Sequence, residues 1–454
     1  MNNSDIPVFY LEDFSFKYPF SNKQIYFNGS LSIQPGECIL IKGASGSGKS
    51  TLLMALKGLI PHLINGKLDG TLLFHGQNIS KLDARHSLKI GYLQQNPDNQ
   101  LICHTVLDEL AFGLENTGLA KIEIIRKIEE ITARFDVSHL VNRNPATLSG
   151  GQKQTVNLLA ILLLEPEVLL LDEPTAFLDP ESAHKIMGII SEYTRNKVVI
   201  IIEHNHHYLN KLVTRIINID GKGNIIEEPI KDAMWQQSLP KLVPSINNNT
   251  SPLLTISNLS FSYPNSTAIL NSIDLKINKG EVIGLIGGNG NGKSTLLQLI
   301  AGILPSHNQI FIDNIAINKI PKQQLWQKIS ILWQNPEAHF IHTKVCQELN
   351  NDLELAELLN LENHQDSSPF SLSEGQKRRL SIGIVIQHTP QLLLLDEPTF
   401  GQDYDNKLTL AKLINKIANN GTAILIVSHD LEFISCISNK TYQLGQKALS
   451  LWQK

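Results

Sequence analysis

Two stretches of this chain have the residues to cradle a polyphosphate. Gly43-Ala44-Ser45-Gly46-Ser47-Gly48-Lys49-Ser50-Thr51 and Gly287-Gly288-Asn289-Gly290-Asn291-Gly292-Lys293-Ser294-Thr295 both fit G-x-x-x-x-G-K-[ST]. Glycines in such a loop let backbone N–H groups turn inward toward anionic oxygens. A helix beginning at the lysine adds its positive end. Lys49 and Lys293 then reach the β- and γ-phosphates as point charges, and Ser50 and Ser294 suit Mg²⁺. Farther along, Asp172-Glu173 and Asp396-Glu397 close apolar runs. The first carboxylate of each pair suits the metal shell and the second an attacking water, because neighbours on a strand point opposite ways. Ser149, in LSGGQ at 148–152, and Ser373, in LSEGQ at 372–376, are good N-caps. Val156, Leu159, Ala160 and Leu163 mark the buried face of the helix after Ser149.

The elements that must position these residues occur twice. Gly43 and Gly287 are 244 residues apart, and both copies place the aspartate 24 residues after the leucine of the signature, Leu148 to Asp172 and Leu372 to Asp396. SFKYP at 15–19 is echoed by SFSYP at 260–264. Apolar β-type runs (CILIK, EVIGLI) feed each glycine-rich turn, and STLLMALKGL and STLLQLIAGI follow with helical spacing. Further continuous runs at 168–172, 197–202, 391–396 and 423–428 predict a parallel sheet covered on both faces. Repetition at this length means tandem domains. The expected division is domain one at 1–240, a polar, proline-punctuated linker at 241–250, and domain two at 251–454.

Bulk composition narrows the partners. With 39 Lys and Arg against 43 Asp and Glu, the net charge of −4 argues against broad binding to nucleic acid or anionic lipid. Cys38, Cys103, Cys346 and Cys436 form no C-x-x-C pair and read as structural thiols suited to a reducing cytosol. The opening MNNSDIPVFYLEDFSF lacks the marks of a signal peptide, and the strongest apolar run, 158–171, is cut by Glu165, Pro166 and Glu167. A soluble chain is expected, so that any membrane role needs a separate membrane partner.

Taken together, the motifs resemble the ATP-binding-cassette family of ATPases over nearly the whole chain. The resemblance implies an α/β fold of tandem P-loop NTPase domains, each with a mostly parallel sheet core, an antiparallel β subdomain and a helical subdomain. It implies ATP and Mg²⁺ as ligands, and cassettes that close head to tail, pairing Lys49 with Ser373 and Lys293 with Ser149. Gly151, Gln152, Gly375 and Gln376 complete the two signature loops. Gln95 and Gln334 match the glutamine loop that touches Mg²⁺ and faces a transporter. His204 and His429 match the switch histidine at the γ-phosphate, Glu173 and Glu397 the catalytic glutamate, and Asp179 and Asp403 the loop aspartates that communicate between cassettes. Tyr18 and Tyr263 match the aromatic that stacks on adenine.

One branch fits best: IGYLQQNPDNQL followed by TVLDELAFGLENTGL is similar to the ATPases of energy-coupling-factor importers, which take up vitamins or transition-metal ions. That branch implies a membrane coupling subunit, a separate solute-binding membrane subunit, no nucleic acid, and a place on the cytoplasmic face of the membrane. Domain two departs from the pattern: the gap from glutamine loop to signature is 38 residues against 53, which implies a trimmed helical subdomain. Glu374 replaces a signature glycine, Thr155 stands where Arg379 keeps the usual arginine, and Glu203 and Gln402 differ from the commonest neighbours. None removes a catalytic group, so both sites are expected to hydrolyse ATP. The rival readings are a soluble two-cassette ATPase acting on the ribosome and a fused sugar-importer ATPase.

Overall fold

A computed structural model of the chain describes residues 6–19, 24–44, 46–82, 88–175, 178, 180–193, 197–203, 208–209, 212–230, 239–245, 251–264, 267–288, 290–399, 402 and 404–452. They form two compact units, Met1–Gln237 and Ser238–Lys454. In the first, β1 (Phe9–Lys17), β2 (Gln24–Ile33), β4 (Lys67–Phe74) and β5 (Gln77–Asn78) make an antiparallel sheet in the order β2-β1-β4-β5. The core sheet runs β10-β9-β3-β8-β7-β6, from β3 (Cys38–Lys42), β6 (Ile90–Leu93), β7 (Val168–Asp172), β8 (Val198–Ile202), β9 (Arg215–Ile219) and β10 (Ile225–Glu228). It is parallel except for β10.

Its apolar runs are unbroken because both faces are covered. Val168 and Leu170 of β7 join a core with Phe14, Phe16 and Phe27 of the antiparallel sheet and Leu53 of the helix Lys49–Leu56. Leu169 and Leu171, pointing the other way, join Leu110, Val156, Leu159 and Ile186 on helices of the opposite layer. The face foreseen on the signature helix Gly150–Leu162 is the one buried: Val156 and Leu159 are sealed, and Ala160 packs at its margin.

The second unit repeats the plan. β11 (Leu254–Phe261), β12 (Leu270–Ile277), β14 (Ile310–Ile312) and β15 (Ile315–Ala316) form an antiparallel sheet, β12-β11-β14-β15. β13 (Val282–Ile286), β16 (Ile329–Leu332), β17 (Leu392–Asp396), β18 (Ala423–Val427), β19 (Lys440–Gly445) and β20 (Ala448–Leu451) form the core sheet, β16-β17-β18-β13-β19-β20. All its pairs are parallel but the last. The helical insert is shorter here. Val345–Glu348 and Leu353–Leu358 stand where the first unit has Val106–Glu115 and Lys121–Arg134.

Over its described part, the stretch read as a linker is fastened to the second unit. Leu242 N–H donates to Cys436 O at 2.7 Å, Asn415 Nδ2 to Leu242 O at 2.6 Å and Asn439 Nδ2 to Pro244 O at 2.9 Å, while Leu239 enters the second unit's core. Among the described residues no helix is long and apolar enough to cross a membrane.

Leu394 of β17 is fully buried, so Leu394→Ala should cost about 2–5 kcal/mol. Urea unfolding followed by tryptophan fluorescence reads mainly this unit, since three of the four tryptophans, Trp326, Trp333 and Trp452, belong to it. An unchanged midpoint would contradict a sheet covered on both faces.

Candidate functional site

Each glycine-rich loop leaves the C-terminal end of a central strand, β3 or β13, and runs into a helix. Gly43 (φ 145°) and Gly287 (φ 155°) turn so tightly that a Cβ would lie 2.5 Å from Ile219 O or Leu444 O. Gly48 (φ 97°) and Gly292 (φ 93°) cap their helices in the left-handed region, with Ile25 or Ile269 where a side chain would go. The loop lysines fold back over the turn. Lys49 Nζ donates to Gly43 O (2.7 Å) and Ala44 O (3.0 Å), and Lys293 Nζ to Gly287 O (2.8 Å) and Gly288 O (3.0 Å). A phosphate oxygen would be a stronger, charge-assisted partner for either ammonium. Tyr18 and Tyr263 stand beside the loops, each hydroxyl against a helix threonine: Thr51 Oγ1 at 3.0 Å and Thr295 Oγ1 at 3.2 Å. Their rings rest edge-on against Phe16 and Phe261.

Asp172 and Asp396 end the strands next to the loops and are 4% and 5% exposed. Ser294 Oγ donates to Asp396 Oδ2 at 2.8 Å, which joins two of the three metal candidates of the second unit. In the first unit Tyr92 OH donates to Asp172 Oδ2 at 3.3 Å, and Asp172 Oδ1 is buried without a hydrogen-bond partner among the described residues. An orphaned buried carboxylate oxygen is what a cation ligand requires. Among the described residues no group of three His, Cys, Asp or Glu could hold a metal by itself. A Mg²⁺ ion here would therefore draw its other oxygens from phosphates and water, and it would neutralise charge on the phosphates it bridges.

Glu173 (φ 46°) and Glu397 (φ 50°) both occupy the left-handed region, a strain of about 1–3 kcal/mol for a non-glycine residue. It persists because their amides are still fixed by the neighbouring strand: Glu173 N–H donates to Ile202 O and Glu397 N–H to Val427 O, both at 2.8 Å. The strained turn aims each carboxylate at its loops. Gln95 Nε2 donates to Glu173 Oε2 at 2.7 Å. Glu397 Oε2 accepts His429 N–H at 3.1 Å, and His429 Nε2 lies 3.4 Å from both Glu397 Oε1 and Lys293 Nζ. Burial holds the Glu397 carboxyl above its usual range, and Asp396 beside it adds to the effect. The second unit thus gathers Lys293, Ser294, Asp396, Glu397 and His429, and the first gathers Gln95 with Glu173, and Lys49, Ser50 and Tyr92 with Asp172. Ser45, Asp179, His204, Asn289 and Asp403 lie outside the described residues, as does the side chain of Glu374.

Ser149 and Ser373 cap their helices as expected, and Gln152 and Gln376 complete capping boxes. Gln152 Oε1 accepts Ser149 N–H at 3.1 Å, and Gln376 Oε1 accepts Ser373 N–H at 2.9 Å. Gly151 is needed for space, since a Cβ there would meet Ser182 Oγ at 2.5 Å. Gly375 O accepts the buried Gln402 Nε2 at 3.3 Å.

Several supporting residues escaped sequence reading. Tyr92 holds Asp172 from β6, and its position two residues before Gln94 is the one signal it gave. Gln100 spans its loop, accepting Gln94 N–H (2.8 Å) and donating to Tyr92 O (2.9 Å). In the second unit His339 does the accepting, from Trp333 N–H at 3.0 Å. Burial pushes this imidazole down to about 4, so it is a neutral acceptor. Glu203, buried at 4% exposure, accepts Thr175 Oγ1–H at 2.6 Å and Thr175 N–H at 3.3 Å, where Ser428 Oγ meets Thr399 Oγ1 at 3.1 Å in the other copy.

Burial, and then Glu173 beside it, lifts the Asp172 carboxyl from 3.8 to about 6. The folded-state value exceeds the unfolded one, so the cost of ionising it is absent below about pH 4 and complete above about pH 6. Asp172→Asn should raise stability at pH 8 by about 2–3 kcal/mol and forfeit the extra stabilisation that Mg²⁺ gives with ATP. Denaturant melts at pH 8 and pH 4 check both effects; a less stable variant at pH 8 would refute the strained-charge account.

A sequence profile of the ABC transporter family matches residues 26–176 and 270–400. YkoD of Bacillus subtilis (strain 168), provisionally named an HMP/thiamine import ATP-binding protein, is 31% identical over 97% of this chain and 90% of its own length. A protein of Methanosarcina mazei, provisionally named an ABC transporter ATP-binding protein, is 32% identical over 93% of this chain and 90% of its own. Among solved structures, one titled RNase-L Inhibitor superposes with a TM-score of 0.67 at 22% identity, covering 96% of this chain and 90% of its own. The archaeal ribosome recycling factor aABCE1, solved with the stalk protein aP1, gives 0.67 at 21% over 95% and 88%. These two likenesses concern the fold alone. Two profile matches, relatives that align end to end, and a phosphate loop, strand-end carboxylates and capped signature helix in each unit lead to one conclusion: the chain belongs to the ABC transporter family as a two-cassette ATPase.

Proposed function

We propose that this chain energises a membrane importer of the energy-coupling-factor type, one that takes up a vitamin or a transition-metal ion. The observation that carries the reading is the 2.7 Å bond from Gln95 to Glu173. Gln95 lies on the loop that leads into the helical insert, so a displacement of the insert is felt at the candidate water-orienting carboxylate. In this reading Lys49 and Lys293 bind the nucleotide's phosphates. Ser50, Asp172 and Gln95, and Ser294, Asp396 and Gln334, surround Mg²⁺. Glu173 and Glu397 orient the attacking water, with His204 and His429 at the γ-phosphate.

The loops beyond the glutamines support a membrane partner. Ile102 (66% exposed) and Ile341 (85% exposed) stand out from them. Each is held by a buried glutamate that accepts two successive amides: Glu109 from Ile102 and Cys103 (2.9 and 2.8 Å), and Glu348 from Ile341 and His342 (2.5 and 2.7 Å). A stiffened loop with an apolar tip suits a coupling subunit, with solute recognition left to a second membrane protein. The import assignment of YkoD and the stretch at 90–119 favour uptake and a position on the cytoplasmic face of the membrane.

Glu173→Gln combined with Glu397→Gln should lower Mg-ATP turnover by more than about 100-fold with ATP binding retained. Affinity purification from membranes should bring down hydrophobic subunits. Normal turnover in the double variant would refute the catalytic roles, and recovery with ribosomes in place of membranes would favour a ribosomal ATPase.

A further inference from the structure

In the second unit the glutamine loop is pinned to the signature helix by one buried cation. Arg378, 2% exposed, lies in the second turn of the helix Glu374–Ile386. Its Nη1 donates to Trp333 O at 2.9 Å and its Nη2 to Gln334 O at 2.6 Å. A planar fork on two successive carbonyls fixes both the position and the direction of the loop. Gln154 has the same place in the first unit, five residues after Ser149 as Arg378 is five after Ser373. Its Nε2 donates to Gln94 O at 3.3 Å, and its Oε1 is buried with no hydrogen-bond partner among the described residues. The adjacent ties are matched, Lys153 to Asp98 and Lys377 to Glu337, both at 2.6 Å. The first unit's firm anchor lies farther along, where Asn157 Nδ2 donates to Pro97 O at 2.9 Å.

We propose that Arg378 is a positioning residue for ATP hydrolysis in the second unit: it makes Gln334 and the helix begun by Ser373 one rigid piece. In the first unit the signature helix holds the loop through the longer Gln154 bond to Gln94 O and through Asn157 on Pro97 O, two residues past Gln95, so that Gln95 itself has more play. The two cassettes therefore transmit motion unequally, the second stiffly and the first with slack. This rests on the assignment of Gln334 to the reacting end of the nucleotide.

The test uses the full chain with Mg-ATP and three variants, Arg378→Gln, Arg378→Lys and Gln154→Arg. Hydrogen exchange is measured for peptides covering 333–340 and 94–101, alongside steady-state kinetics. Arg378→Gln should speed exchange in the 333–340 peptide and lower kcat about tenfold, with KM for Mg-ATP little changed. Arg378→Lys keeps the charge without the fork and should restore less than half of kcat, whereas Gln154→Arg should slow exchange in the 94–101 peptide. The last variant carries the test if Arg378→Gln folds poorly. Unchanged exchange in both peptides overturns the pin and leaves the role of Gln334 standing. A loosened loop with undiminished kcat overturns the role in hydrolysis and faults the assignment of Gln334 itself. Full rescue by lysine overturns the argument from geometry.

Discussion

Everything in each unit depends on one strand being buried on both faces and ending in an acid. β7 and β17 lie between two apolar layers, and that burial removes water from the carboxylates where they stop. Asp172 and Asp396 are held above the usual carboxylate range for this reason first. Ionisation there is costly until a cation arrives. The loop lysine, the serine hydroxyl and the strained glutamate are arranged around that uncompensated charge. A nucleotide bound with a metal would complete the site electrostatically, and its binding could then shift loops that would otherwise be indifferent to it.

The two copies solve this problem with different side chains. In both units a serine from the phosphate loop bonds the strand-end aspartate, and the first unit adds a tyrosine from the neighbouring strand. The threonine two residues after the strained glutamate is bound by a buried carboxylate in one and by a hydroxyl in the other. The glutamine loop is spanned by Gln100 in one and by a neutral histidine in the other. Each exchange keeps a hydrogen bond, and the one at the threonine also trades a carboxylate for a neutral hydroxyl. The chemistry can remain common to both units while the stiffness around it diverges, and the helical insert is long in the first unit and short in the second.

Much of this was legible beforehand because it rests on local rules. A glycine-rich turn between an apolar run and a helix can be read from spacing, as can a serine three residues before a glutamine at a helix start. Runs such as Val168–Asp172 announced a doubly covered strand because period-two alternation was missing. The shortened insert of the second unit followed from a residue count. The fastening of residues 239–245 onto the second unit was not legible, because it depends on Asn415, Cys436 and Asn439, which lie some 170 to 200 positions away.

By itself, the amino-acid sequence determined that there are two cassettes, where their phosphate loops and acidic strand ends fall, and which helices are capped by serine. Those features are set by backbone sterics, helix termini and the period of burial, all of which act over a few neighbouring residues. Only the tertiary structure decided which side chains hold the site in place. Tyr92 on Asp172, Gln95 on Glu173, Glu203 on Thr175 and Arg378 on the Trp333 and Gln334 carbonyls each join residues 28 to 80 positions apart. The reason is physical: a buried polar group must find a partner in whatever element folding brings beside it, and that neighbour is chosen by the packing of the sheet and not by the order of the chain.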